Sequence, residues 1–330
     1  MISTRHTVLI VCTTAIFGFC FGVGASLWFS SLTSADKTGH TLRIKNLSYP
    51  LIKPLLACNI DAQTPTPALN DLQSLLKKAI DTATESGNIA KAGIYIRDLD
   101  DGSWTSVNGD DRYTPASLMK IVTLMGYLNE AENNPSILQN RLTVDPDLDV
   151  TKQNIIPALS AEPGKEYTVA ELLQMMIAYS DNTASHTLIE HMRAESLNGL
   201  LDVLEIPTFA DEAHYTISPR LYSRLLRILY NSTLLTASDS ERALELLAQT
   251  DYREALVKGV DASETVAHKF GDVTLLNSDG TTSYQHHDCG IVYATHPYVI
   301  CIMTEGNDLP TLANTIASFT TIVDTFMNDR

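Results

Sequence analysis

The 330-residue sequence has no two of its five cysteines at C-x-x-C spacing, which leaves no ordinary zinc framework. Positive charge is scarce. There are 23 Lys and Arg against 39 Asp and Glu, a formal net charge of −16. A chain of that sign repels phosphate backbones, which argues against nucleic-acid and polyphosphate partners, although a local basic pocket stays open. No internal repeat and no low-complexity tract is evident, so solenoids and long linkers do not fit. At 44% hydrophobic and 19% charged, most of the chain is ordinary globular material, enough for one large domain or two small ones.

Charge is also missing from residues 7–34. Thr7 to Leu32 is long enough to cross a bilayer, and Trp28 near its end suits the interface. Arg5 lies before it and Lys37, Arg43 and Lys45 after it, so flanking charge does not orient it. A cleaved signal peptide is the rival, with Gly24 and Ala25 near a possible cut; its apolar core would be unusually long, so an uncleaved anchor is preferred. Leu55-Leu56-Ala57-Cys58 is similar to a lipoprotein cleavage box. It lacks its own apolar lead-in and is interrupted by Pro50 and Pro54, so it reads as the start of the folded domain. The expected organisation is a short tail (1–6), a transmembrane anchor (7–32), a linker and lead-in segment (33–65) and one folded domain (66–330).

Pro65–Gly87 carries a helical pattern in Leu69, Leu72, Leu75, Leu76 and Ile80. Gly93–Leu99 alternates as a strand, Asp101-Gly102 is a hairpin turn, and Ser103–Val107 returns. Leu128–Pro163 is mixed and turn-rich. Thr168-Val-Ala-Glu171 is a capping box opening a helix that stops near Tyr179, and another amphipathic stretch runs to His191. Ser218-Pro219 opens a helix to Tyr230, and Ser238–Gln249 reads as one more. Thr265–Leu276 and Tyr284–Ala294 flank a second hairpin turn, Asp279-Gly280; Tyr298–Thr304 is a third strand, and Leu309–Met327 a final helix. This order predicts an α/β (α+β) domain. One antiparallel five-stranded sheet is flanked by the terminal helices, and the middle helices form a second lobe.

The chemistry centres on Tyr113-Thr-Pro-Ala-Ser-Leu-Met-Lys120. Thr114 suits a helix N-cap and Pro115 the first helical position, which places Ser117 in the first turn. Its backbone N–H then has no partner within the helix and can face a ligand. Lys120 is three residues on, on the same face. Leu118, Met119, Ile121, Val122, Leu124 and Met125 make the helix apolar on almost every side, so it is buried and Lys120 loses hydration. A serine beside a lysine that can take its proton is an activated nucleophile. S-x-x-K alone occurs by accident in many proteins, so the rest of the chain has to support it.

Two more motifs follow in order, Ser180-Asp181-Asn182 and Lys269-Phe270-Gly271. Either alone reads as a turn and cap, or as a solvated strand. Together with Ser117-Leu-Met-Lys120 they resemble the S-x-x-K, S-D-N and K-T-G set of class A β-lactamases and penicillin-binding proteins. Pro163-Gly164, Tyr167-Thr168-Val169 and Glu171-Leu172-Leu173 resemble the class A helix leading into its S-D-N loop; Ile217-Ser218-Pro219-Arg220 resembles the helix start after the Ω-loop. The resemblance covers about residues 66–330. It implies Ser117 as nucleophile, Lys120 as its base or proton shuttle, and Ser180 as relay to the departing amine. Asn182 would bind the substrate amide and hold Lys120. Lys269 would attract a substrate carboxylate and orient Ser180. Gly271 would let backbone approach the ligand, and the N–H groups of Ser117 and Asp272 would form the oxyanion hole. With Thr7–Leu32 read as an anchor, it implies a membrane-anchored serine hydrolase, single-pass, with its catalytic domain on the extracytoplasmic side. The ligand would be a β-lactam or a D-Ala-D-Ala peptide. No cofactor and no metal is called for, and a monomer is expected. A peptidoglycan carboxypeptidase or transpeptidase, and a retired cell-surface binding module, are the alternatives. Five intact polar groups argue against the last.

Two departures stand out. Phe270 replaces the hydroxyl residue of K-T-G, which in the family helps bind the substrate carboxylate. Leu204–Ser218 has no E-x-x-x-N, the Ω-loop motif whose glutamate activates the deacylating water; Glu205, Asp211 and Glu212 are candidates by type only. His286-His287-Asp288-Cys289 invites a metal reading. On a strand His287 and Cys289 share one face, and His286 and Asp288 the other, so only two can meet one ion. His268 should face away from Lys269 and be packed or hydrogen-bonded. In the fold that the resemblance implies, Cys58 precedes the first domain helix and Cys289 lies in the sheet. These two are the expected disulfide, with Cys301 a small buried apolar residue.

Overall fold

The computed structural model describes residues 49–54, 66–149, 153–206 and 215–330; for 194–196 only the backbone is described. The expected anchor, 7–32, lies outside the described residues, and among those residues no helix is long and apolar enough to cross a membrane.

Helix α1 (Asn70–Glu85) buries Leu72, Leu76, Ile80 and Ala83 at helical spacing. Strands β1 (Lys91–Asp98) and β2 (Trp104–Val107) form the first hairpin. A 3₁₀ turn, Ala116–Met119, runs into α2 (Lys120–Asn133). Short strands β3 (Arg141–Thr143) and β4 (Glu166–Thr168) pair with each other. Then come α3 (Val169–Ala178), α4 (Asn182–His191), α5 (Ala194–Val203), α6 (Pro219–Tyr230) and α7 (Ala237–Ala248). Strands β5 (Thr265–Leu276), β6 (Thr282–Tyr293) and β7 (Tyr298–Gly306) lead to α8 (Leu309–Asn328). The main sheet has the order β2-β1-β7-β6-β5 and is antiparallel throughout, so chain-distant β1 and β7 are neighbours and β5 is an edge.

The sheet is covered on both faces. Ile94, Ile96, Val292, Ile300 and Ile302 meet α1 and α8 in one core. Ala267, Cys289, Ile291, Val299, Cys301 and Met303 join the larger core of the helical lobe. This two-sided burial explains why β7 reads as a continuous apolar run rather than an alternation.

Three features differ from expectation. Helix α5 is absent from the sequence pattern because its N-cap, Arg193, offers no side-chain cap and Gly199 interrupts it; burial of Leu200 and Leu201 holds it in place. Tyr49–Pro54, expected in the lead-in, packs onto the domain. Ile52 is buried, the N–H groups of Leu51 and Ile52 donate to the Glu241 carboxylate (3.0 Å), and Lys53 N–H donates to Tyr230 O (2.8 Å). Third, Cys289 is bonded to Cys301 and not to Cys58, which lies outside the described residues. Antiparallel register sets Cys289 and Cys301 opposite each other on β6 and β7, with Cα atoms 4.0 Å apart and both side chains on the helical-lobe face. Long-range strand register is invisible to a count of cysteines.

His268 faces away from Lys269, as alternation requires, and its Nδ1 lies 2.8 Å from buried Asp288 Oδ1. Gly290 stands opposite His268; a Cβ there would come within 2.6 Å of His268 Cβ and 2.7 Å of Ala267 O. Gly290→Ala is therefore expected to destabilise the domain by ~1–3 kcal/mol through overpacking. The check is a lower urea midpoint at unchanged m-value, whereas an unchanged midpoint would show that the ladder yields freely.

Candidate active site

Ser117 sits not in an α-helix proper but in the 3₁₀ turn ahead of it. Thr114 caps nothing with its side chain. Instead β6 holds its backbone: Thr114 N–H donates to Gln285 Oε1 (2.9 Å), and its carbonyl lies 3.1 Å from His287 Nε2. Thr304 N–H donates to His287 Nδ1 (3.3 Å), so Nε2 carries the proton and donates to Thr114. Burial pushes the His287 pKa down to about 3, and the neutral ring suits this bridge. Ala116, with φ +49°, turns the chain so that Ser117 follows at the mouth of a cleft. Beneath the turn, Tyr222 Oη donates to Leu118 O (3.1 Å).

Opposite lies the loop between α3 and α4. Asp181 is fully buried and caps α4, accepting from the N–H groups of Thr183 (3.1 Å) and Ala184 (2.9 Å). It also accepts from Ser160 Oγ (2.5 Å) and Ala161 N–H (2.9 Å). This cap pins the chain where Ser180 takes φ +56°, a backbone that few serines adopt unaided.

Two lysines meet at Ser180. Lys120, from the start of α2, donates to Ser180 O (2.6 Å) and Asn182 Oδ1 (2.7 Å), with Ser180 Oγ at 3.3 Å. Lys269, from β5, donates to Ser180 Oγ (2.8 Å) and Phe270 O (3.0 Å). Burial lowers the Lys120 pKa to about 7, against the opposing pull of Asp181 and Asp272. Lys269 is wholly buried and is lowered well below its usual value, by burial first and by the Lys120 charge second.

The cleft itself is a cavity of about 400 Å³, lined by Ser117, Gln153, Asn154, Asn182, Asp272, Val273 and Thr274. Gly271 forms its rear edge: a Cβ there would lie 3.1 Å from Ser117 N and 3.0 Å from Leu118 N, so only glycine lets β5 approach the serine's backbone this closely. A larger cavity, about 710 Å³ between α1 and α8, is apolar and contains none of these residues.

A family model described as the β-lactamase enzyme family matches residues 74–326. The chain belongs to that family. A β-lactamase of Citrobacter koseri is 31% identical over 114 residues, 34% of this chain and 38% of the relative, so the match spans about two-fifths of that enzyme. One from Streptomyces fradiae is 24% identical over 245 residues, 67% of this chain and 76% of the relative. Among solved structures, PBP-A superposes with a TM-score of 0.67 at 24% identity, covering 82% of this chain and 100% of that one. A β-lactamase from Desulfarculus baarsii gives 0.63 at 17%, covering 77% and 97%. At these identities the structural likeness speaks for the β-lactamase fold, an antiparallel sheet with a helical lobe.

Within that fold the seven residues singled out from the sequence fall into two layers. Ser117, Asn182 and Asp272 line the cavity, with Gly271 at its rear edge. Lys120, Ser180 and Lys269 form a buried hydrogen-bonded chain. Phe270 turns from the cleft and packs against Tyr252, ring centroids 4.3 Å apart and ring planes tilted by 33°. Glu205 is exposed and pairs with Arg224 (2.7 Å), a solvated loop acid; Asp211 and Glu212 lie outside the described residues. His286, His287 and Asp288 are divided by the sheet as alternation requires, and among the described residues no cluster could hold a metal ion. Not foreseen were Gln153, Asn154, Gln285 and His287. They meet the site from 27 to 173 residues away, and no local spacing signals such contacts.

Proposed function

We propose that this chain is a serine hydrolase that opens β-lactam or related amides through an acyl-enzyme on Ser117. The observation that carries this reading is the position of Ser180 Oγ between Lys120 Nζ and Lys269 Nζ, beside a cleft that Ser117 lines. Ser117 Oγ adds to the amide carbonyl while Lys120, near neutrality by virtue of its burial, takes the proton. Ser180 passes a proton to the departing nitrogen, the C–N bond breaks, and an ester on Ser117 remains. Water then hydrolyses the ester. Asn182 Oδ1 is engaged by Lys120, which leaves its amide N–H₂ for a substrate carbonyl. The N–H groups of Ser117 and Asp272 serve the oxyanion.

A peptidase acting on cell-wall peptides is the second reading, favoured by the missing E-x-x-x-N in Leu204–Ser218. The uncharged stretch 7–34 supports attachment to a membrane through residues 7–32, with the domain on its extracytoplasmic side. The solved acyl-enzyme of a PBP-A mutant with penicillin G, on the same fold at 23% identity, supports a penicillin as the probe.

Intact-mass measurement with a labelled penicillin, followed over time, tests the reading. One adduct is expected on Ser117, decaying on the order of a hundredfold more slowly than it forms, because Leu204–Ser218 carries no E-x-x-x-N motif to supply a water-activating glutamate. Labelling at another serine would sink the assignment. Rapid multiple turnover, lost in Asp211→Ala or Glu212→Ala, would show that the loop supplies a base after all.

A further inference from the structure

Among the described residues, no positively charged side chain lines the cleft beside Ser117. Among the described residues that line it, the one charged side chain is Asp272. Its Oδ2 accepts from Asn154 Nδ2 (2.8 Å), and Asn154 Oδ1 in turn accepts from Thr274 Oγ1 (3.2 Å), which holds the carboxylate on the cavity wall. Both nearby lysines are buried behind that wall. Lys269 Nζ donates to Ser180 Oγ and Phe270 O and lies 4.2 Å from the centre of the Phe270 ring. Lys120 Nζ donates to Ser180 and Asn182. Burial weakens the charge of each. The hydroxyl that would receive an anion next to Lys269 is absent, since Phe270 occupies the position and turns to Tyr252. On the far side of Asp272, His286 is buried with its Nε2 3.0 Å from Tyr252 Oη, and burial keeps it neutral. Asp181 is enclosed by its own four hydrogen bonds.

We propose that Asp272 determines specificity, and that the cleft takes amides with a neutral or cationic group near the scissile bond in preference to those with a free carboxylate there. The proposal rests on the Ser117 acyl-enzyme reading and deepens it. A substrate carboxylate entering this cleft meets Asp272 at partly exposed, intermediate dielectric, where like-charge repulsion is felt over several ångströms. An internal amide, or one whose acid is masked, does not.

The test compares acylation of Ser117 by benzylpenicillin and by its methyl ester. The rate ratio, ester over anion, is measured in the full chain and in Asp272→Asn, which keeps the acceptor for Asn154. Asp272→Ser serves as a second variant should the first fail to fold. The ratio is expected to fall roughly tenfold in the variant, and the wild-type ratio to shrink as salt rises from about 0.05 to 0.5 M. Taking the change between wild type and variant cancels the intrinsic reactivity difference of the probes. An unchanged ratio in both variants would overturn the proposal and leave the acyl-enzyme standing. A wild-type preference for the anion over the ester would overturn it too, by showing a cation serving the cleft. No Ser117 adduct from either probe would overturn the acyl-enzyme reading and this proposal with it.

Discussion

Ser117→Ala is expected to abolish covalent labelling by penicillin while leaving the melting temperature within a few degrees of the parent. Ser117 lies in a 3₁₀ turn held by others: His287 and Gln285 bind Thr114, and Tyr222 binds Leu118. Its own side chain faces the cavity and is half-buried, so its removal opens no core void and leaves no buried group unpaired. The chemical consequence is total because no covalent ester can form without Oγ. Intact-mass and melting measurements on the same sample separate the two effects. An adduct on the variant would place the nucleophile elsewhere.

Lys120→Ala is expected to lower the acylation rate ~10²–10⁴-fold, the usual range for loss of a general base. A lost structural contact could also slow the enzyme, so the pH profile is the discriminating readout. Lys120 must be neutral to accept a proton from Ser117. Its pKa is lowered to about 7, so the neutral form predominates above that pH and the ammonium below it. Wild-type acylation should therefore climb about tenfold per pH unit below about 7 and level off above. His287 is neutral throughout this window and contributes no step. The residual rate of Lys120→Ala should lose the inflection near 7. A variant that kept it would assign that titration to another group. Stability moves in the same direction: between about 7 and its unfolded value the lysine is protonated only in the unfolded chain, so folding is favoured as pH rises.

Three short motifs in order, a capping box at Thr168 and two Asp-Gly turns were enough to bring Ser117, Lys120, Ser180 and Lys269 to one site and to mark the sheet strands. These signals are local. A cap needs Thr168 and Glu171 within one turn, and the two do bond reciprocally in the structure. The apolar spacing of Leu72, Leu76 and Ile80 marked the buried face of α1 for the same reason.

What the tertiary structure alone decided depends on contacts between segments distant in the chain. The disulfide followed strand register, which brings Cys289 opposite Cys301 and not to Cys58. Helix α5 formed because the lobe buries Leu200 and Leu201, although its ends are poorly capped. The turn at Ser117 took its shape from β6, more than 160 residues away, rather than from a Thr114 cap. Asp272 read from the sequence as a backbone donor. Its side chain became the cavity's charged wall only when Asn154 and Ser117 met it across the cleft. Residue type and short-range spacing set which groups the chain has and what each can do. The charge a substrate meets is a sum over whatever packing brings to the same few ångströms, and that sum exists only once the chain is folded.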